Sequence, residues 1–511
     1  MTQFFKGLAL FLVITCIVWV AVLWHWDSSH HELSIADIVI YLAALPLVIF
    51  GVLIGLRWAW TGAQPRREAA LAAAAGVAAA ARTAATAGTA DSTPTSEDAL
   101  RFATAQLLGA YATCAGGATP QELLIAAAEG KPRPAFDAEL RDTDGLSVMC
   151  ARLKDLQTEP LATQLEPLLQ AQRQQRPEWV GLAFSEHALR ALAALVEPLQ
   201  NALRGLQPWA TRLGAPDQAA PSAAPPPRQG AAPVLPMVRL LLGWPEGWSE
   251  LECAVATDWV QHQWPEHTDI PMERFVCTAQ ASSGEALWLQ ADQLLQTLAR
   301  EGRSDVLLVA ACHSDLSDSA VAALEQQGRL FSAQRQPKGL MPGEAAAVLL
   351  LAHEDWPAAP DVDLPAMRLH RPALMRRDKS VEAAGRVNSQ CLQDTAADAL
   401  AASRVAAAAV AALVCDADQH SPRGTELFGA TLALLPQLDP TEDMRLLGTV
   451  TAHTGAVNVL LVLAAAAQRA RDDDQPCLAL CLGDRFMRLA VLARPAALAA
   501  PGAAATAAAA A

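Results

Sequence analysis

The side chains of this sequence that could carry chemistry are few, and most of them lie in settings that predict structural roles. Cys277, Ser282 and Ser283 precede a run with helical spacing and are candidate nucleophiles, for which His453 is the candidate base. A serine at the start of a helix commonly caps it, and a cysteine in a strand commonly packs in the core. We therefore interpret these residues as structural and keep a serine or cysteine nucleophile as the alternative.

Two clusters have the residue types of metal ligands. His30, His31 and Glu32 are adjacent in a polar loop, and neighbouring side chains rarely chelate one ion well. Cys477 and Cys481 lie in a short apolar run that predicts a strand with both thiols on one face, as small buried residues. The 10 cysteines show no zinc-like spacing and are typical of a reducing compartment. The sequence predicts neither a metal site nor a cofactor.

Length and charge restrict the class of protein. The chain has 511 residues, enough for a large core, and a formal net charge of -15. An acidic chain repels phosphate backbones, so we do not expect nucleic acid as a partner.

Two apolar runs at the start of the chain predict a transmembrane hairpin within residues 1–62. Residues 7–24 and 38–56 contain no charged side chain, and each run is long enough to cross a hydrocarbon core of about 30 Å. Tryptophans near the ends of both runs suit the membrane boundary. Bulky residues end the first run where signal-peptide cleavage needs small ones, so we expect it to remain as an anchor.

The distribution of basic residues predicts the orientation of this hairpin. The loop between the runs carries acids but no Lys or Arg, whereas Lys6 precedes the first run and Arg57, Arg66 and Arg67 follow the second. The positive-inside rule therefore places both ends of the chain in the cytoplasm, at the inner membrane of a bacterium.

Three segments are too poor in large apolar residues to form a core. Residues 63–98 are rich in Ala, Thr and Gly and predict a flexible linker, residues 214–233 form a Pro/Ala-rich loop, and residues 497–511 form an Ala-rich tail. Between them, short apolar runs alternate with helical spacing, which predicts an α/β fold. The predicted strands cover 305–312, 345–352, 411–415 and 477–482, and the predicted helices cover 287–301, 396–408 and 457–471.

An ordered series of motifs resembles the β-ketoacyl synthases of the thiolase superfamily. The series runs from Ser282-Ser-Gly-Glu through a helix and a strand to Pro342-Gly-Glu-Ala-Ala-Ala-Val-Leu-Leu, and continues with Arg423-Gly-Thr-Glu and Gly448-Thr-Val-Thr-Ala-His-Thr-Gly. The resemblance implies a layered fold of two related βα halves, with mixed sheets sandwiching helices. It implies a first thiolase-like half at 99–213 and the second part of the domain at 234–496.

The positions at which the resemblance places catalytic groups hold other residues here. The nucleophilic cysteine falls on Ala281, the first histidine on Cys415, and the lysine on Gly448. His420 lies five residues too late to replace the first histidine, and only the second histidine remains, as His453. A methyl group forms no thioester, so we expect no catalytic residues and interpret His453 as a remnant.

This pattern predicts a catalytically inactive scaffold that binds proteins at the cytoplasmic membrane face. The resemblance also implies a homodimer or pseudo-dimer, and anchored thiolase-like proteins of this kind resemble accessory components of type VI secretion systems. The alternatives are an acyl-thioester-dependent acyltransferase or hydrolase, and a module that binds acyl chains without chemistry.

Overall fold

The computed structural model describes residues 102–214, 236–357 and 366–496. The strands are β1 (Ala105–Cys114), β2 (Ala135–Arg141), β3 (Ser147–Cys150), β4 (Val238–Trp244), β5 (Phe275–Ala281), β6 (Val306–Ser314), β7 (Glu344–His353), β8 (Met367–Leu369), β9 (Ala373–Arg376), β10 (Ala412–Cys415), β11 (Met444–Leu446), β12 (Cys477–Cys481) and β13 (Met487–Pro495). The helices are α1 (Pro120–Glu129), α2 (Glu159–Gln175), α3 (Glu186–Arg204), α4 (Ala210–Gly214), α5 (Glu250–His267), α6 (Gly284–Arg300), α7 (Asp318–Gln326), α8 (Gln390–Ser403), α9 (Ser421–Leu434), α10 (Gly448–Thr451) and α11 (Val457–Asp473).

The strands and helices predicted from apolar runs are present, and the boundaries differ most for the helix predicted at 396–408. The four predicted strands correspond to β6, β7, β10 and β12, and the helices predicted at 287–301 and 457–471 correspond to α6 and α11. The helix predicted at 396–408 begins earlier and ends at Ser403, because Arg404 adopts the left-handed conformation with φ of 55°. A left-handed residue ends the helical hydrogen-bond series, although alanines continue beyond it.

The main sheet repeats one strand order twice. Its order is β11-β10-β12-β13-β8-β1-β7-β6-β4-β5, with β9 paired to β13. In one half β5, β4 and β6 run parallel, and β7 is antiparallel to β6. In the other half β11, β10 and β12 run parallel, and β13 is antiparallel to β12. The two halves meet where β1 pairs with β8. This duplication confirms the α/β fold with mixed sheets in two related halves.

The repeat divides at a different place from the one expected. Strand β1 precedes the Pro/Ala-rich loop, whereas β4 to β7 follow it, and all five belong to the same half of the sheet. The segment 99–213 therefore supplies one strand of the first repeat, and the division falls between β7 and β8. The Pro/Ala-rich loop predicted at 214–233 falls between β1 and β4 in the chain, and all of it except residue 214 lies outside the described residues.

Helices α6 and α11 lie between the two halves. Helix α11 is buried around its circumference and belongs to one apolar cluster with residues of β7, β12 and β13. Alanines along α11 allow close packing on both sides. Helices α3 and α5 cover the outer face of the first half, and α8 and α9 cover that of the second. The fold therefore has the helices sandwiched between sheets that the resemblance implies.

Within the described residues, none of the helices combines the length and apolarity that a membrane crossing requires. The predicted hairpin at 1–62, the linker at 63–98 and the tail at 497–511 lie outside the described residues.

Candidate functional site

The turn that joins β5 to α6 (the elbow) is present, and two serine hydroxyls hydrogen-bond to backbone atoms there. Strand β5 ends at Ala281, and α6 begins at Gly284. The Ser283 hydroxyl caps α6 by accepting a hydrogen bond from the Ala286 amide at 3.3 Å. The Ser282 hydroxyl donates to the Ser283 carbonyl at 3.0 Å. Both serines are thus engaged locally, and Ala281 places a methyl group at the tip of the elbow.

Cys277 lies on β5, with its side chain against the outer apolar cluster of the first half. Burial raises the pKa of its thiol to about 11, although a hydrogen bond with Gln261 acts in the opposite direction. A nucleophilic cysteine needs a lowered pKa, supplied by a cation or a helix N-terminus. This cysteine therefore remains a protonated thiol at neutral pH.

Cys415 ends β10 and is fully buried. Burial raises the pKa of its thiol far above the ordinary value, with the carboxylates of Asp416 and Asp418 acting in the same direction. His420 is also buried, and burial followed by the nearby Arg423 lowers the pKa of its imidazole. Both shifts favour the neutral form, so neither side chain supplies a charge at the end of this strand.

Gly448 has no room for a side chain. A Cβ atom there would lie 2.4 Å from the Asp416 carbonyl oxygen and 2.8 Å from that of Ala417. The Asp416 carboxylate accepts hydrogen bonds from the amides of Leu482 and Gly483, at 2.7 and 2.9 Å. The position assigned to a lysine is therefore packed against the backbone of the segment that follows β10.

His453 lies beside two residues that the sequence did not single out, His313 and Asp315. The Oδ2 atom of Asp315 is 2.9 Å from Nε2 of His313 and 3.3 Å from Nδ1 of His453. The two imidazole rings are nearly perpendicular, with centroids 5.4 Å apart. Burial opposes the charge on Asp315, but His313 and His453 together hold the pKa of its carboxyl well below the usual range.

The electrostatics of His453 differ from those of an exposed histidine. Burial lowers the pKa of its imidazole in spite of the Asp315 carboxylate. Its Nδ1 atom contacts Asp315, whereas the Ser282 hydroxyl donates to a backbone carbonyl. The candidate base His453 and the candidate nucleophile Ser282 thus have different hydrogen-bond partners.

The glutamates of the two recognisable motifs form buried ion pairs. Glu344 is fully buried and accepts two hydrogen bonds from Arg190, at 2.6 and 2.9 Å. Glu426 is fully buried and accepts two from Arg488, both at 2.9 Å. Paired guanidinium–carboxylate contacts of this kind fix geometry as well as charge. Both glutamates therefore join elements that are distant in the chain.

The sequence missed His313 and Asp315 because they are separated from His453 by more than a hundred residues. The only local signal is the pattern His313-Ser-Asp315 at the end of a buried strand, which places two ligand-type side chains at a strand terminus. Their approach to His453 depends on the fold.

Comparisons with families and curated protein sequences give no match. Among solved structures, the ishigamide ketosynthase/chain length factor is similar, with 16% identity and a TM-score of 0.49, over 77% of this chain and 99% of that chain. A type II polyketide ketosynthase in complex with its acyl-carrier protein has 13% identity and a TM-score of 0.46, over 77% of this chain and 99% of that chain. Ketosynthase twelve of the bacillaene synthase of Bacillus amyloliquefaciens has 10% identity and a TM-score of 0.48, over 76% of this chain and 75% of that chain. All three scores lie below 0.5, and the fold assignment rests on the duplicated strand order.

Proposed function

We propose that this chain is a membrane-anchored, catalytically inactive β-ketoacyl synthase-like protein that acts as a scaffold at the cytoplasmic face of a bacterial inner membrane. The observation that carries this proposal is the state of three positions. Ala281 supplies no thiol, Cys415 no imidazole and Gly448 no ammonium group, and the last is packed against the backbone. Condensation in the synthases that this chain resembles needs all three functional groups. A protein with this fold but without these groups can bind partners and cannot catalyse condensation.

Identification of the proteins that bind this chain tests the scaffold role. The full-length protein, extracted from membranes with a mild detergent, should co-purify reproducibly with a defined set of proteins. Components of a type VI secretion system are the expected set. Recovery of no reproducible partner would contradict the scaffold role, and recovery of fatty-acid or polyketide enzymes would favour the enzymatic alternative.

The anchor is supported by the two uncharged runs at 7–24 and 38–56 and by the basic residues that flank them. Reporter enzymes that are active on only one side of the membrane test this placement. A fusion within the loop after residue 26 should report the periplasm, and a fusion after residue 98 should report the cytoplasm. Cytoplasmic signals from both fusions would refute the hairpin.

A homodimer is supported by the outermost strand of the first half. Strand β5 pairs with β4 along one edge, and Thr278 in its centre is exposed. An unpaired strand edge readily pairs with a second copy, and a lysine at such an edge opposes pairing. We expect Thr278→Lys to halve the mass of the detergent-solubilised protein in light scattering, whereas Thr425→Lys, on the exposed face of α9, leaves it unchanged. An unchanged mass for Thr278→Lys would refute pairing through β5.

The second candidate function is acyl transfer or hydrolysis by a serine or cysteine near the elbow. Ser282 favours it, because its hydroxyl lies beside the start of α6, where the helix dipole supports a developing negative charge. Turnover of acyl thioesters by the full-length protein would support this function if Ser282→Ala or Cys277→Ala abolished it. Equal background hydrolysis in all three proteins would exclude it.

A further inference from the structure

Three side chains from distant parts of the chain converge near the start of α11. His313 and Asp315 lie at the end of β6, and His453 lies in the turn between α10 and α11. Their potential ligand atoms all lie within 4.8 Å of one another. Each imidazole brings one nitrogen to the Asp315 carboxylate, so the three donors face a common point.

The distances between the donors suit a metal ion. Zinc binds nitrogen and oxygen at about 2.0–2.2 Å, so the donors of a tetrahedral site stand about 3.3 Å apart. Asp315 Oδ2 lies 2.9 Å from His313 Nε2 and 3.3 Å from His453 Nδ1. All three donor atoms lie within 4.8 Å of one another, as the ligands of one ion must.

One donor atom makes a close contact that is poorly aligned as a hydrogen bond. His313 Nε2 is buried and close to Asp315, yet it is not aligned for a hydrogen bond with any group. A metal ion between these two atoms would replace this misaligned contact with two ligand bonds. The two rings are nearly perpendicular and do not stack face to face, and each brings one nitrogen to the carboxylate.

The backbone holds the three side chains in place. Gly455 has a φ of +52°, and a Cβ atom there would lie 2.5 Å from Nδ1 of His313. The His453 amide donates to the Met341 carbonyl at 3.0 Å, and the Asp315 amide donates to the Gly343 carbonyl at 3.3 Å. The motif that contains Gly343 thus positions two of the three ligands.

We propose that His313, Asp315 and His453 bind one Zn²⁺ ion. Two imidazoles and one carboxylate form a borderline donor set that suits zinc, and three protein ligands leave a fourth position for water. The side chains are 11%, 18% and 22% exposed, so an ion can enter from solvent. This site does not depend on the scaffold function and gives His453 a role other than that of a remnant.

Zinc binding is tested on the full-length protein in detergent, with His30→Ala and His31→Ala combined to remove the loop histidines and with no histidine tag. Equilibrium dialysis against Zn²⁺ alone, followed by elemental analysis, should give one ion per chain. His313→Ala, Asp315→Asn and His453→Ala should each weaken binding at least about tenfold, since each removes a ligand.

The matched control is His353→Ala. His353 also lies beside an aspartate, with its Nδ1 atom 3.5 Å from Asp355 Oδ2, but no third ligand-type side chain among the described residues joins this pair. This control should bind zinc as tightly as the parent protein. Absence of one-to-one binding in the parent, or unchanged affinity in the three ligand variants, would overturn the proposal.

Cobalt provides an independent measurement if a ligand variant fails to fold. Co²⁺ bound to the parent should show the ligand-field absorption of a nitrogen and oxygen site without thiolate charge-transfer bands. Strong thiolate bands would assign the ion to the cysteines and would overturn the proposal.

Discussion

Substitution of Glu344 by glutamine should strongly destabilise the protein, because this carboxylate is a buried charge with four donors. It accepts two hydrogen bonds from Arg190, one from the Leu153 amide at 2.7 Å and one from the Ser314 hydroxyl at 3.1 Å. Glutamine removes the charge and turns an NH₂ group toward at least one donor. Breaking a buried ion pair in this way costs about 3–5 kcal/mol of the free energy of unfolding.

The matched control is the same substitution at an exposed pair. Glu250 and Arg176 are 83% and 52% exposed, with a closest distance of 3.4 Å. Glu250→Gln should change the free energy of unfolding by about 0–1 kcal/mol, since solvent screens such pairs.

The assay is urea unfolding of the full-length protein in detergent, followed by tryptophan fluorescence. A second variant that combines Glu344→Gln with Arg190→Met should regain part of the loss, because no unpaired charge remains buried. A loss below about 1 kcal/mol for Glu344→Gln, equal to that of the exposed control, would refute the structural role of this ion pair.

Two further predictions concern Gly448 and Glu285. Gly448→Ala should destabilise the protein by about 1–3 kcal/mol, because the added methyl meets backbone atoms, whereas Gly424→Ala in α9 meets nothing within 4 Å and should stabilise it by up to about 1 kcal/mol. Equal effects in urea unfolding would contradict the close packing at Gly448. Burial, followed by the carboxylates of Asp484 and Asp416, raises the pKa of Glu285 from 4.5 to about 7, so the folded state binds the proton more tightly than the unfolded state. Stability should therefore fall as the pH rises from about 4.5 to about 7, and Glu285→Gln should remove this fall and gain at most about 3 kcal/mol at about pH 8. Parallel stability curves for Glu285→Gln and the parent would contradict this assignment.

The sequence predicts the elements of the fold better than their assembly. Apolar runs locate β6, β7, β10 and β12 because strands buried on both faces are continuously apolar. The division of the repeat could not be read from composition, since β1 and β4 to β7 lie on opposite sides of the Pro/Ala-rich segment in the sequence but belong to the same half of the sheet.

At the candidate site, too, the sequence predicts features that depend on neighbouring residues and misses those that depend on contacts between distant segments. Local patterns predict that a serine caps α6 and that Cys415 ends a buried strand, and in the structure Ser283 is the cap and Cys415 is the last residue of β10. The cluster of His313, Asp315 and His453 could not be predicted, because their approach depends on how β6 and the turn before α11 pack. The reason that Gly448 excludes a side chain is likewise a contact between segments distant in the chain.

Intact-protein mass spectrometry tests the proposed absence of condensing chemistry most directly. The full-length protein in detergent is incubated with acyl and malonyl thioesters, and its mass is compared with that of Ser282→Ala and Cys277→Ala. We predict no covalent acyl adduct and no decarboxylation above the rate of the free thioesters. An acyl adduct on the parent protein that disappears in either variant would contradict the inactive scaffold.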